Sequence, residues 1–289
     1  MAEGRDIQVT GIAYVDGRFV PVGEARVSVL DRGFLFADGV YEVIPVYGGR
    51  PFRLGEHLAR LARSLSELKI ANPHDDKGWI ALVTKLVAEN GGGDRSVYLQ
   101  VTRGAPEKRA HAFPENTKPT VVGLCNPLVT PDAAALRDGV GAITRPDIRW
   151  GRCDIKSIAL LANILASQAA KEQACNETIL HRDGRVTEGA SSNVYAVRGG
   201  AVVTPPKSPE ILAGVTRDAL LGLLRLAGTR VEERALALDE LKGADEIWIS
   251  SSTREVLPVT MLDGKPVGAG KPGPAWKSAY EMFQRCKRT

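Results

Sequence analysis

Apolar residues run in short blocks through the first fifty positions, at Ile12 to Val15, Phe19 to Val22 and Val40 to Val46. Asp16-Gly17 follows the first block and Gly48-Gly49 the third, so this stretch predicts strands joined by tight turns. From Leu54 the period changes. Leu54, Leu58, Leu61, Leu65 and Leu68 are spaced by four and three, which lays one apolar stripe along a helix, with Arg60 and Arg63 beside it. A second helix is predicted over 77–89, stopped by Asn90-Gly91-Gly92-Gly93, and strands return at 96–102 and 120–124.

Asn126-Pro127 through Pro131-Asp132 interrupts the apolar runs with two prolines and polar residues, the composition of a linker. It divides the chain into a small N-terminal α+β domain at 1–126, a linker at 127–135 and a larger C-terminal domain at 136–289. In the second half the pattern predicts strands at 140–143, 178–181 and 246–250. It also predicts helices at 157–173, 216–227 and 274–285, with hairpin turns at Asp183-Gly184 and Gly199-Gly200. The alternation of strands and helices places the fold in the α/β (α+β) class.

Charge narrows the function classes. Lys and Arg number 38 against 34 Asp and Glu, a net +4 spread along the chain, and this argues against nucleic-acid binding, which needs a concentrated basic face. The four cysteines (Cys125, Cys153, Cys175, Cys286) lie far apart and read as reduced thiols of a cytoplasmic protein. Met1 to Asp6 leads into no apolar stretch, and no run approaches the length of a membrane span, so neither secretion nor membrane insertion is predicted. The four histidines share no metal-ligand spacing, so no metal site is expected.

The candidate chemistry rests on Lys156 and Glu188. In isolation a lysine is a surface residue, but Lys156 stands between Ile155 and the apolar segment Ile158 to Ala166, where it is expected to enter a domain interior. Burial favours the neutral amine, the form that attacks an aldehyde. Glu188, ahead of Gly189 to Asn193, reads either as a turn carboxylate or as a partner for a protonated pyridine nitrogen. Together the two supply what a protein must give pyridoxal 5'-phosphate. Gly214-Val215-Thr216-Arg217, opening a helix, and Ser250 to Thr253, after a strand, are either ordinary caps and turns or phosphate donors. Nucleotide-type glycine loops are absent. Arg109 and His111, two residues apart, are either a solvated loop or a trap for a carboxylate.

These residues, in this order, resemble the fold-type IV pyridoxal-phosphate enzymes, most closely the D-amino acid transaminases. The resemblance spans nearly the whole chain. It is carried by Asp31-Arg32-Gly33-Phe34, Ala37-Asp38-Gly39-Val40-Tyr41-Glu42-Val43, Glu56-His57-Leu58-x-Arg60-Leu61, Gln100-Val101-Thr102-Arg103-Gly104, Arg109-x-His111-x-Phe113-Pro114, Cys153-Asp154-Ile155-Lys156-Ser157, Thr187-Glu188-Gly189-x-Ser191-Ser192-Asn193 and Gly214-Val215-Thr216-Arg217.

The resemblance implies a two-domain enzyme with the cofactor between the domains, held as an internal aldimine on Lys156, and ping-pong transfer of amino groups from D-alanine or D-glutamate to 2-oxo acids. It implies Glu188 at the pyridine nitrogen and Arg60, Val215, Thr216, Ser251 and Ser252 around the phosphate. Ser191, Ser192 and Asn193 would line the cofactor. Tyr41, Arg109 and His111 would hold the substrate carboxylate, the last two from the other subunit of a homodimer. Branched-chain L-amino acid aminotransferases and aminodeoxychorismate lyase share the fold and are the alternatives, with (R)-amine transaminases a further relative. Ala190 stands where serine is common in relatives.

Overall fold

Residues 11–288 are described by a computed structural model, and Met1 to Asp6 lie outside them. Two units are distinguished by their internal contacts: residues up to Leu128 together with Lys156–Ala159, and Val129–Ile155 together with residues from Leu160 onward.

The first unit is built on β1 (Ile12–Val15), β2 (Arg18–Pro21), β3 (Gly39–Tyr47), β4 (Arg50–Pro51), β5 (Arg95–Thr102) and β6 (Thr120–Pro127). These form an antiparallel sheet in the order β2-β1-β6-β5-β3-β4. Asp16 and Gly17 both take positive φ, 44° and 90°, the backbone a two-residue hairpin needs to match strand twist. Period two selects the inner face: Val40, Ile44 and Val46 of β3 and Val97, Leu99 and Val101 of β5 are fully buried. That face is covered by α2 (Leu54–Glu67), through Leu58, Leu61 and Leu65, and by α3 (Asp76–Glu89), through Trp79, Leu82, Val83 and Leu86. A short helix, α1 (Arg32–Phe36), is capped by Asp31, whose carboxylate accepts from the Gly33 amide.

The second unit contains α4 (Ala133–Asp138), β7 (Val140–Pro146), α5 (Leu161–Glu172), β8 (Glu177–Arg182), β9 (Arg185–Gly189), β10 (Asn193–Arg198) and β11 (Ala201–Thr204). It continues with α6 (Val215–Leu226), β12 (Val231–Glu233), α7 (Leu238–Lys242), β13 (Glu246–Ser251), β14 (Glu255–Leu262), β15 (Lys265–Pro266) and α8 (Pro274–Cys286). The strands form one sheet in the order β12-β11-β10-β13-β14-β7-β8-β9, with β15 on β14. Ile179, Val194, Ala196, Ile247, Ile249 and Val259 sit in its core.

Three sequence expectations shift. β6 runs on through Pro127, paired with Arg95, because its last residues have no neighbour on the β1 side that would need the missing amide. β14 is a central strand that the pattern did not reveal: it is buried almost throughout, so it does not alternate, and Pro258 lies inside it opposite Trp248. The helix expected from Ser157 begins only at Leu161, for a reason that belongs to the site.

Candidate active site

Lys156–Ala159 adds to the open edge of β3. The Tyr41 amide donates to the Lys156 carbonyl at 2.9 Å, the Ile158 amide to the Gly39 carbonyl at 3.1 Å, and Ser157 bridges Val40. Backbone groups used in this way cannot also close helical turns, so the segment stays extended. A Cβ on Gly39 would meet the Val101 carbonyl at 2.7 Å and Ile158 at 3.1 Å, which explains the glycine. The Lys156 amide also faces the Ser64 hydroxyl at 3.3 Å. Its ammonium group stands 4.2 Å from the centre of the Tyr41 ring, and among the described residues it makes no hydrogen bond or ion pair. Tyr41 in turn stacks on Tyr98, whose hydroxyl donates to Gln100 at 2.6 Å.

The expectation that Lys156 leads into an apolar interior is corrected. Lys156 is half-buried, and Leu161, Ile164 and Leu165 are 72%, 60% and 56% exposed. Helix α5 packs on β8 and β7, with Ala170 its buried residue, and leaves the larger side chains on the outside.

Arg60 does not stand alone on its helix stripe. Its Nε and Nη2 donate to the two oxygens of Glu42 at 2.7 and 2.8 Å, and His57 Nδ1 donates to Glu42 at 2.8 Å. Glu42 is fully buried, which alone would raise its pKa, but the Arg60 charge and the hydrogen bonds from Arg60 and His57 bring it down to about 2. Burial lowers His57 in turn, and the opposing pull of Glu42 does not offset it, so the imidazole is neutral and its Nδ1–H is the donor. Sequence reading missed Glu42 and His57 as partners. The signal was available, since Glu42 falls in the buried column of β3 between Val40 and Ile44.

In the second unit, Glu188 lies at the end of β9, 5% exposed. Arg149 donates Nη1 to it at 2.5 Å, Asn193 Nδ2 at 3.3 Å and the Leu212 amide at 3.0 Å. Every one of these partners is a donor, as a carboxylate requires. Arg149 is itself gripped by Asp147 through Nε and Nη2, and Asp147 also accepts from the Thr187 hydroxyl. Burial would discharge Arg149, but its hydrogen bonds to Asp147 and the charge of Glu188 outweigh it and hold the guanidinium protonated. Nothing in the local sequence marks Arg149 or Asp147, because they reach Glu188 only through the fold.

Around Glu188 the chain turns tightly. The Gly189 amide donates to the Ser192 carbonyl at 2.7 Å, and a Cβ on Gly189 would collide with the Ser192 hydroxyl. Buried Glu177 ties this turn down, accepting from the Ala190 amide, the Ser192 hydroxyl and Arg254. Asn193 opens β10 opposite Ser250 on β13, which brings Ser251 and Ser252 to the same end of the sheet. Asn193 also lies against Gly214, where a Cβ would collide with its Oδ1.

Gly214 is the N-cap of α6 and offers its first amides no side-chain acceptor. Val215 and Thr216 therefore begin a helix of twelve residues whose positive end is open. The hydroxyls of Thr216 and Ser252 make no hydrogen bond among the described residues, while Ser251 accepts from the Arg254 amide and Ser191 is exposed.

Arg109 and His111 lie on an exposed loop of the first unit, both against Phe36: the Arg109 guanidinium is 4.8 Å from the ring centre and the His111 ring 5.3 Å. Neither makes a hydrogen bond with Tyr41 or Lys156 among the described residues. Also among those residues, no group of three His, Cys, Asp or Glu is placed to hold a metal ion, and no helix is long and apolar enough to cross a membrane.

The profile of the Amino-transferase class IV family matches residues 39–262. A D-alanine aminotransferase of Bacillus licheniformis is 43% identical over 270 residues, covering 93% of this chain and 94% of its own. Among solved structures, the branched-chain amino acid aminotransferase of Escherichia coli superposes with a TM-score of 0.89 at 24% identity, over 96% of this chain and 94% of that one, a likeness of fold. The T.th. branched-chain amino acid aminotransferase with pyridoxamine 5'-phosphate gives 0.88 at 26% identity, over 96% and 93%.

Proposed function

This chain belongs to the class IV amino-transferase family, and on that footing we propose that it transfers amino groups from D-amino acids of the D-alanine and D-glutamate type to 2-oxo acids, with pyridoxal 5'-phosphate as cofactor. The full-length likeness to a D-alanine aminotransferase carries the reading.

The residues fit that cofactor. Lys156 offers an amine committed to no internal ion pair among the described residues, and Glu188 a buried carboxylate fixed by Arg149. The uncapped start of α6, pressed against Asn193 where a Cβ would not fit, offers amides of Val215 and Thr216 to a phosphate, alongside the hydroxyls of Thr216 and Ser252. Arg60, aimed by Glu42, offers a guanidinium donor, and Ser191, Ser192, Asn193 and Ser251 complete the lining. When bound, the cofactor supplies an aldehyde for the amino group and a ring that draws electrons from the substrate Cα.

The chain's own work is to position and to move a proton. Lys156 Nζ takes the proton from the donor's Cα in the first half of the exchange and delivers one to the acceptor's Cα in the second, with the Tyr41 ring keeping the amine in place. Glu188, backed by Arg149 and Asp147, keeps a proton on the ring nitrogen. Tyr41, Arg109 and His111 hold the substrate carboxylate, which decides the face of Cα presented to Lys156 and so the D configuration. The working form is a homodimer, to which the exposed Leu161, Ile164 and Leu165 stripe of α5 is suited. The four cysteines, none of them in a disulfide, suit a cytoplasmic setting.

Arg109→Ala tests the carboxylate assignment. A charged hydrogen bond contributes about 1.5–3 kcal/mol, so the KM for D-alanine should rise roughly 10- to 100-fold while the visible spectrum of the bound cofactor stays the same. Unchanged saturation by D-alanine would remove Arg109 from that role.

A further inference from the structure

We propose that Arg32 and Phe36 are positioning residues that aim Arg109 and His111 at the substrate carboxylate; the inference rests on the role given to that pair above.

The loop between β5 and β6 closes on itself at its base. Gly104, at φ +96°, lies so near the Lys118 carbonyl that no Cβ could be accommodated there. Above this neck, residues from Glu107 to Phe113 are exposed, and the inner side of the loop lines an open cavity of about 1100 Å³ with Tyr14, Asp16 and His74. A loop with no apolar core beneath it samples many conformations unless polar contacts hold it.

Arg32 provides those contacts from both ends. Its amide donates to the Gly104 carbonyl at the neck, at 2.9 Å. Its guanidinium donates through Nη1 to the carbonyls of Ala110 and Ala112 and through Nη2 to that of His111. Three consecutive carbonyls are thereby fixed by one planar group that is only 4% exposed. Its Nε donates to Asp38 at 2.7 Å, and Asp38 is held in place by two hydrogen bonds from Arg103, which also donates to the carbonyls of Leu68 and Lys69 at the end of α2. The pin is therefore anchored to the helix that carries Arg60.

Phe36 sets the side chains where Arg32 sets the backbone. Its ring lies 4.9 Å from the Arg32 guanidinium, 4.8 Å from that of Arg109 and 5.3 Å from the His111 ring. One aromatic ring thus contacts both members of the pair, and guanidinium–ring attraction favours the placement of Arg109. An arginine that only closed the loop would leave the two side chains free to point anywhere. The shared ring turns loop closure into aim.

The test uses the holoenzyme with Phe36→Leu and Arg32→Lys, alone and combined with Arg109→Ala. Two readouts are needed: KM and kcat for D-alanine, and hydrogen exchange of the 105–116 segment. Leucine keeps apolar volume without the ring face, and lysine keeps charge for Asp38 without the fork that reaches three carbonyls. Each single variant should raise KM by roughly 3- to 10-fold with kcat within about twofold, and should speed exchange in 105–116. In the Arg109→Ala background, the further rise from Phe36→Leu should shrink to less than about twofold. Unchanged exchange in both variants, or a KM increase that persists undiminished without Arg109, overturns the proposal. Faster exchange together with an Arg109→Ala enzyme of normal KM supports the loop positioning and overturns the carboxylate role instead.

Discussion

Lys156→Ala is expected to lower turnover of D-alanine by roughly ten-thousand-fold or more, the scale on which removing a group that both bonds covalently and moves a proton is felt. The loss should be chemical and not structural. The strand-edge bonds at this position use the Lys156 carbonyl, which alanine retains, and the Ile158 and Tyr41 amides, which it does not touch. What leaves with the side chain is the contact with the Tyr41 ring, worth about 0.5–1 kcal/mol at a partly exposed site. Melting should therefore shift by only a few degrees. Steady-state rates and a thermal melt of the same preparation check both halves. A variant retaining more than a tenth of wild-type turnover would dismiss Lys156 as the amine of the reaction.

Glu42→Gln should produce the largest loss of stability among substitutions at the site, about 3–5 kcal/mol, because it strands the Arg60 guanidinium that Glu42 neutralises inside the first unit. The melting temperature should fall by on the order of 10 °C. The pH dependence has a definite sign. Glu42 is drawn down from its ordinary 4.5 to about 2 in the folded protein. Between these values the unfolded chain binds the proton and the folded chain does not. The stability due to Glu42 is fully present above about pH 4.5 and disappears as pH falls toward 2. Denaturation curves of wild type and variant should consequently lie far apart at pH 7 and converge through that window. A gap that stayed constant down to about pH 2.5 would mean that the triad with His57 and Arg60 does not hold Glu42 ionised. Cofactor affinity should weaken in parallel, since Arg60 loses the group that aims it.

The residues around the site also show how far the chain could be read without a structure. The helix bearing Arg60 was legible because Leu58, Leu61 and Leu65 obey one period and all three are buried. The tight turn after Glu188 was legible because Gly189 to Asn193 is a run of small residues, and Gly189 lies too close to Ser192 for a larger side chain. Burial at period two hid Glu42 in plain view, as a charge in an apolar column that is tolerated only if α2 returns a cation to it.

Other parts could not be read at all. Lys156 looked like the start of a helix because Ile158 to Ala166 is apolar, yet hydrogen bonding to the edge of β3 overrode the helical tendency, and half of that apolar run faces outward. The tie from Asp147 and Arg149 to Glu188 joins positions with no shared period or motif. The same holds for Phe36 and Arg32, whose contacts with the 109–113 segment depend on how a long loop folds back. Individual residue types were visible in the sequence, while the groups that orient them appear only through tertiary contact.

The most direct measurement is the visible absorption spectrum of the purified protein with pyridoxal 5'-phosphate, before and after adding D-alanine and, separately, L-alanine or L-leucine. A yellow band that D-alanine bleaches, and that neither L-amino acid bleaches, is expected. Bleaching by the L-amino acids alone would assign the enzyme to branched-chain chemistry, and a protein that shows no yellow band with added cofactor would contradict the role of Lys156 itself.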